Sequence, residues 1–145
     1  MIAIDTNILV YAHRQDAQWH QEALAILTEL AQGNSRWAIP WPCAHEFVAI
    51  VTHPRIYTPP TPVALACKAI AAWAESPTLT FIGESEDYWE KFASVASALK
   101  LQGGAIHDGR VAAICLHHGV KELWSADRDF SRFAKLRVRN PLVPT

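Results

Sequence analysis

The chain lacks the features that would mark it as disulfide-stapled, membrane-embedded or coated in charge of one sign. It holds 3 cysteines in 145 residues, Cys43, Cys67 and Cys115. Their odd number and separations of 24 and 48 residues fit neither a secreted disulfide framework nor a thiolate metal site, so all three are expected to be buried small hydrophobes. No apolar run approaches the ~20 residues of a membrane span. The opening Met-Ile-Ala-Ile-Asp has no basic stretch ahead of an apolar one, so no signal peptide is expected, and the protein reads as soluble and cytoplasmic. Thirteen Lys and Arg against 14 Asp and Glu give a net charge of −1, which excludes a uniformly basic nucleic-acid-coating surface. Charge is nonetheless uneven. Residues 75–90 carry five acids and no base, whereas 128–139 carry Arg128, Arg132, Lys135, Arg137 and Arg139 against Asp129 alone. What the chain has in plenty is apolar side chains, 50% of the total. That supply suits a single domain over 1–145 whose core needs no metal or disulfide staple.

Strand-like and helix-like patterns alternate along the chain. Met1–Ile4 reads as a strand ending at Asp5, followed by a helix through Ile8–Ala12. Trp19, Ala23, Ile26, Leu27 and Leu30 recur at helical spacing within Ala17–Gln32, and Gly33-Asn34 stops them. Trp37–Ile39 reads as a strand, and Pro42 opens a third helix that holds Glu46. Pro54, Pro59, Pro60 and Pro62 make residues 54–62 a stiff surface loop, too short for a domain linker. Val63–Glu75 predicts a helix, Leu79–Ile82 a strand, Glu86–Lys100 a helix with an acidic first turn, and Asp108–His118 a helix stopped by Gly119. Leu123–Ser125 and an edge strand within Leu136–Val143 complete the pattern. Such alternation predicts an α/β domain on a mostly parallel sheet, with function where strands end at their carboxyl edge.

If the strands before Asp5 and Asp127 are parallel neighbours, those two carboxylates meet at that edge. Asp5 and Asp127 each follow a predicted strand, Asp108 follows Gly103-Gly104 at the start of a helix, and Glu46 lies inside the third helix. Taken singly, they read as a turn former, another turn former, a helix cap and an exposed helical glutamate. Together at one sheet edge they would repel one another unless a cation sat between them, and oxygen-only ligands select a hard ion such as Mg²⁺ or Mn²⁺. A hard divalent ion beside a phosphoryl group is what phosphodiester hydrolysis requires.

In these residues the sequence resembles the PIN-domain ribonucleases, and within them the VapC-type toxins of bacterial and archaeal toxin–antitoxin pairs. The resemblance spans nearly the whole chain and rests on Ile4-Asp5-Thr6-Asn7-Ile8-Leu9-Val10, on Glu46, on His107-Asp108, and on Leu123-Trp124-Ser125-Ala126-Asp127-Arg128-Asp129-Phe130. It implies a PIN-like three-layer sandwich in which Asp5, Glu46, Asp108 and Asp127 form an acidic metal-binding and catalytic quartet supported by Thr6, Asn7, Ser125 and Asp129. It further implies Mg²⁺-dependent cleavage of RNA, with Mn²⁺ substituting. A structured target such as tRNA or rRNA, a homodimer, and a cognate antitoxin that blocks the acidic site are implied as well. The Asp-x-Asp-Phe motif leaves open whether Asp127 or Asp129 faces the metal, and Asp127 is preferred. Ser125 stands where threonine is commoner and keeps the hydroxyl. Gly109 stands where a better helix former is usual, which predicts a weakened first turn.

Other residues carry weaker signals. Arg128, Arg110, Arg132, Arg14 and Arg55 are candidate phosphate contacts by their adjacency to the acids or the proline-rich loop. His45 should diverge from Glu46 by about 100° around the helix, favouring a supporting hydrogen bond over metal ligation. Trp19, Trp73 and Trp124 fall at core positions, while Trp37 and Trp41, flanking Pro40, are expected to be exposed. Two other function classes compete. A phosphatase with an aspartyl nucleophile after the first strand needs a second Asp where this chain has Asn7. A non-catalytic RNA- or protein-binding α/β domain would use the acids only structurally.

Overall fold

The computed structural model describes residues 1–144; Thr145, the last residue of the expected single domain, lies outside the described residues. Among those described, five strands are flanked by six helices. The strands are β1 (Ile2–Ile4), β2 (Trp37–Pro40), β3 (Leu79–Ile82), β4 (Glu122–Trp124) and β5 (Arg137–Arg139). The helices are α1 (Thr6–His13), α2 (His20–Gln32), α3 (Trp41–Val51), α4 (Val63–Ala74), α5 (Tyr88–Ala98) and α6 (Ala105–His117), and a 3-10 turn covers Arg128–Arg132. All four strand pairings are parallel, in the order β3-β2-β1-β4-β5. This is the PIN-like α/β sandwich.

The order explains where a site can form. From β1 the chain crosses to β2 and β3 on one side, then returns to place β4 and β5 on the other. The crossovers therefore diverge between β1 and β4, opening a crevice at their carboxyl ends. Register brings the two strand ends level: Ile4 lies opposite Trp124, and the Asp5 amide donates to the Trp124 carbonyl at 3.0 Å. The central strands are apolar on both faces, as helices on either side demand. Ala3, Ile4, Trp37, Ala38, Ile39 and Leu123 are all fully buried.

Several sequence expectations need correction. Trp37 is fully buried rather than exposed, because β2 lies between two strands; its indole N–H donates to the Ser76 hydroxyl at 3.3 Å. Cys67 is exposed on α4, while Cys43 and Cys115 are buried as expected. Helix α5 starts at Tyr88 because Asp87 adopts a left-handed backbone (φ 67°), and it ends at Ala98 with Lys100 left-handed (φ 51°). Helix α2 begins at His20, after a turn in which the Ala17 amide donates to Arg14 and the His20 amide to Ala17. Gly109 has a packing reason: a Cβ there would lie 2.6 Å from Leu101 Cδ1 and 3.5 Å from Phe92 Cε1, so its absence lets α6 approach α5 and the turn after it. The closing strand is shorter than expected, ending at Arg139 before the Leu142 amide turns back onto the Asn140 side chain. No described helix is long and apolar enough to cross a membrane.

Candidate metal centre

The crevice between β1 and β4 opens into a cleft of about 560 Å³. Asp5, Glu46, Asp108 and Asp127 all line it, with Thr6, Asn7, Pro42, Ile50, His107, Arg110 and Phe130 among their neighbours. Four separate segments thus deliver carboxylates to one concavity. Asp5 and Asp127 come from the loops after adjacent strands, Glu46 from the middle of α3, and Asp108 from the first turn of α6. Helix α6 begins at Ala105, three residues earlier than expected, because the Gly103 turn (φ 60°) feeds directly into it. Asp108 is consequently a fourth helical residue aimed into the cleft, and not a cap.

Asp5 is the deepest acid, 6% exposed. Burial raises its pKa above the ordinary carboxyl value, while hydrogen bonds from Ser125, the Thr6 backbone and Cys43 oppose that shift. Ser125 is the hub of the support. Its Oγ donates to Asp5 Oδ2 at 2.7 Å and accepts from the Asp127 amide at 2.9 Å and Asn7 Nδ2 at 3.3 Å. Asn7 also accepts from the Ala126 amide at 3.1 Å, which ties the start of α1 to the loop after β4. On the opposite wall, Thr6 Oγ1 donates to Glu46 Oε2 at 3.2 Å. Sequence reasoning missed Cys43, whose buried thiol donates to Asp5 Oδ1 at 3.5 Å. Only its place one turn before Glu46 on the same helix signals it.

The tightest cluster is Asp108, Asp127 and Asp129, which offer carboxylate oxygens within 4.8 Å of one another. The Asp127 side chain caps the following 3-10 turn by accepting from the Asp129 amide at 2.8 Å, so the two acids of the Asp-x-Asp motif are fixed relative to each other. Asp127 lines the cleft; Asp129 is exposed at its rim. Asp108 titrates above its ordinary value, first through burial, then through the charges of Asp127, Asp129 and Glu46, with Arg132 pulling the other way. Among the described residues none of these five acids forms an ion pair. An all-oxygen, net-negative donor set with no cation ion-paired to it among the described residues suits a hard divalent ion. Mg²⁺ at ~2.1 Å from each ligand spans about 4.2 Å between opposite oxygens, which falls within the 4.8 Å that bounds the separations of the Asp108, Asp127 and Asp129 oxygens.

The candidate arginines divide. Arg110 lines the cleft but is paired to Glu84 at 2.8 Å. Arg132 Nε donates to the Asp129 carbonyl at 2.9 Å, and Arg128 and Arg55 are exposed. Arg14 lies in a separate depression, bound to Asp16 at 2.7 Å and to Thr61 and the Pro59 carbonyl, where it anchors the proline-rich loop. His45 diverges from Glu46 as expected and lies beside Trp41.

Comparison with known proteins agrees with the geometry. The PIN domain family model matches residues 2–136. Ribonuclease VapC43 of Mycobacterium tuberculosis is 35% identical over 142 residues, covering 98% of this chain and 96% of that protein. Two solved structures share the fold at low identity. VapBC2 from Rickettsia felis, bound to a promoter DNA fragment, superposes with a TM-score of 0.69 at 19% identity, covering 96% of this chain and 98% of the other. VapC20 of Mycobacterium tuberculosis, described as a sarcin–ricin loop cleaving toxin, superposes with a TM-score of 0.66 at 14% identity over 90% of this chain and 93% of its own. The chain belongs to the PIN-domain family and groups with its VapC-type ribonucleases.

Proposed function

We propose that the protein is a metal-dependent endoribonuclease that hydrolyses RNA phosphodiester bonds in the acidic cleft, with Mg²⁺ as its ion and Mn²⁺ able to substitute. The observation that carries this reading is the convergence of Asp5, Glu46, Asp108 and Asp127 at the strand switch point, with Asp129 at the rim and no protein cation paired to any of them among the described residues. Asp108 and Asp127 are the principal ligands in this reading, because they line the cleft and offer oxygens within 4.8 Å of each other. A bound divalent ion supplies charge neutralisation at the scissile phosphate and acidifies an attacking water. The protein's own part is positioning. Ser125 and Asn7 orient Asp5 and the loop carrying Asp127, while Thr6 holds Glu46 across the cleft.

The family supports a reading of the biological role. VapC43 is named a ribonuclease, and VapC20 is described as a toxin. We assign this chain the role of toxin, opposed by a protein antitoxin and inhibiting translation by cutting a structured RNA such as tRNA or rRNA. VapC20's described substrate, the sarcin–ricin loop, belongs to that class. Cutting within a loop suits recognition of unstacked bases. A cytoplasmic homodimer is the expected form, and the exposed Val63 and Leu65 on α4 offer apolar surface for association.

Incubation of partner-free protein with cellular RNA tests the reading. Discrete cuts in Mg²⁺ or Mn²⁺ that vanish with EDTA and in Asp108→Asn support it. Cuts that survive both controls overturn it, as does intact RNA together with no metal binding, which is the behaviour of a non-catalytic domain.

A further inference from the structure

Arg110 is the one arginine or lysine among the described residues that lines the acidic cleft. It pairs with none of the cleft acids. Instead its Nε and Nη2 donate at 3.2 Å and 2.8 Å to a single oxygen, Glu84 Oε2. Glu84 stands in the loop after β3, and that loop is pinned to the far end of the same helix, where His118 Nε2 donates to the Gly83 carbonyl at 2.8 Å. The buried Tyr88 feels both charges: burial raises its pKa first, Glu84 raises it further and Arg110 lowers it. The guanidinium is thus held in place although its side chain is 43% exposed.

A guanidinium carries five N–H donors in a rigid plane. Glu84 occupies two of them along one edge, and the outer edge, formed by Nη1 and the second hydrogen of Nη2, meets no acceptor among the described residues. Such an edge matches two oxygens of a phosphate. Glu84 also solves a conflict of charge. An arginine lining a cleft with four acids would ordinarily pair with one of them and exclude a metal ion. By taking that pairing itself, Glu84 leaves the acids open to a cation and the arginine open to an anion.

Helix geometry says which anion. Asp108 and Arg110 are two residues apart on α6 and leave its axis about 200° apart, yet both line the cleft, so they meet it on different flanks. An RNA strand whose scissile phosphate sits at Asp108 and Asp127 brings a neighbouring phosphate to the arginine. Resting on the ribonuclease reading above, we propose that Arg110 grips an RNA phosphate next to the scissile one, and that Glu84 is a positioning residue that aims the guanidinium at it.

The test uses the whole protein and a short single-stranded RNA cut in Mn²⁺. Arg110→Ala should lower kcat/KM by roughly 10- to 100-fold, the range of a hydrogen bond to a charged group, through KM rather than kcat. On logarithmic axes its kcat/KM should also fall less steeply with salt, by about 0.7 for one lost phosphate contact. Arg110→Lys should keep the wild-type slope but lose part of the rate, because it lacks the fork. Neutral methylphosphonates placed in turn at the phosphates flanking the cut should slow wild type at one position and leave Arg110→Ala no slower there. Glu84→Gln should raise KM even though it removes a charge that repels RNA, and should not do so in the Arg110→Ala background. Mn²⁺ affinity by calorimetry should be no weaker than wild type in every variant, which shows the acids in place. Methylphosphonates that slow wild type and Arg110→Ala alike, an unchanged salt slope in Arg110→Ala, or tighter RNA binding by Glu84→Gln would overturn the clamp while leaving the ribonuclease reading intact. Loss of Mn²⁺ binding in the Arg110 variants would overturn it as well, by giving the residue a purely structural role. A wild type that neither binds Mn²⁺ nor cuts RNA would remove the ribonuclease reading and the clamp with it.

Discussion

Replacing Asp108 by asparagine should stabilise the protein without metal and destabilise it relative to wild type with metal. The Asp108, Asp127 and Asp129 oxygens lie within 4.8 Å of one another. At that distance each pair of charges repels by about 0.9 kcal/mol in water and about 3.5 kcal/mol at an effective dielectric of 20. Asp129 is exposed and Asp108 is only partly shielded, so the lower figure applies. Asp108→Asn removes two such repulsions, about 2 kcal/mol, and forfeits ~0.3–1 kcal/mol of favourable interaction with the α6 N-terminal dipole. The net gain is about 1 kcal/mol, or roughly 3–4 °C in Tm for a domain of this size. Mn²⁺ reverses the order. At a hundred times its Kd the ion stabilises wild type by about 2.7 kcal/mol, a benefit that the variant, lacking a principal ligand, loses. Thermal unfolding followed by circular dichroism, in EDTA and then in Mn²⁺, reads both signs. An Asn variant no more stable than wild type in EDTA would refute the electrostatic argument, and curves that ignore Mn²⁺ would refute the metal centre.

Other consequences are equally direct. Asp5 and Asp108 titrate above their ordinary value of 3.8, so between that value and the raised one the folded chain keeps protons that the unfolded chain has released. Metal-free stability therefore falls as pH rises from about 4 through the raised values and then levels off, and saturating Mn²⁺ should flatten the slope in urea titrations. Ser125→Ala strips partners from Asp5, Asn7 and the Asp127 amide at a position 2% exposed, and should cost ~1–3 kcal/mol; Ser125→Thr should recover most of it because the hydroxyl remains. Gly109→Ala should fail to deliver the ~1 kcal/mol that helix propensity alone promises, because Leu101 must move to admit the methyl group.

The placing of Asp5, Asp108 and Asp127 around one cleft was legible because each follows a local boundary signal, whereas Glu46, in the middle of α3, has none. Asp5 ends an apolar strand, Asp108 follows a glycine pair, and Asp127 follows Leu123–Ser125. Alternating strands and helices announced the parallel sheet, and Leu79–Ile82 matches β3 residue for residue. What stayed hidden depended on neighbours distant in sequence. Nothing local distinguishes Trp37 from Trp41, two aromatics beside Pro40; only the strand order puts the first inside the sheet and the second at its rim. Gly109 looks like a flaw in a helix until Leu101 and Phe92 are placed against it. The left-handed Asp87 that delays α5 has no signal among the surrounding acids, and the salt bridge to Asp16 that takes Arg14 away from the cleft depends on a turn. Cys43 reaches Asp5 because β2 and β1 are adjacent, a fact of topology rather than of composition.

Mn²⁺ titration by calorimetry, comparing wild type with Asp127→Asn and paired with RNA cleavage by the same preparations, bears most directly on the acidic cleft as a metal-dependent nuclease site. Saturable binding that Asp127→Asn abolishes, with cleavage that tracks occupancy of the site, is the predicted result. No binding at millimolar Mn²⁺, or RNA cut equally well in EDTA, would contradict it.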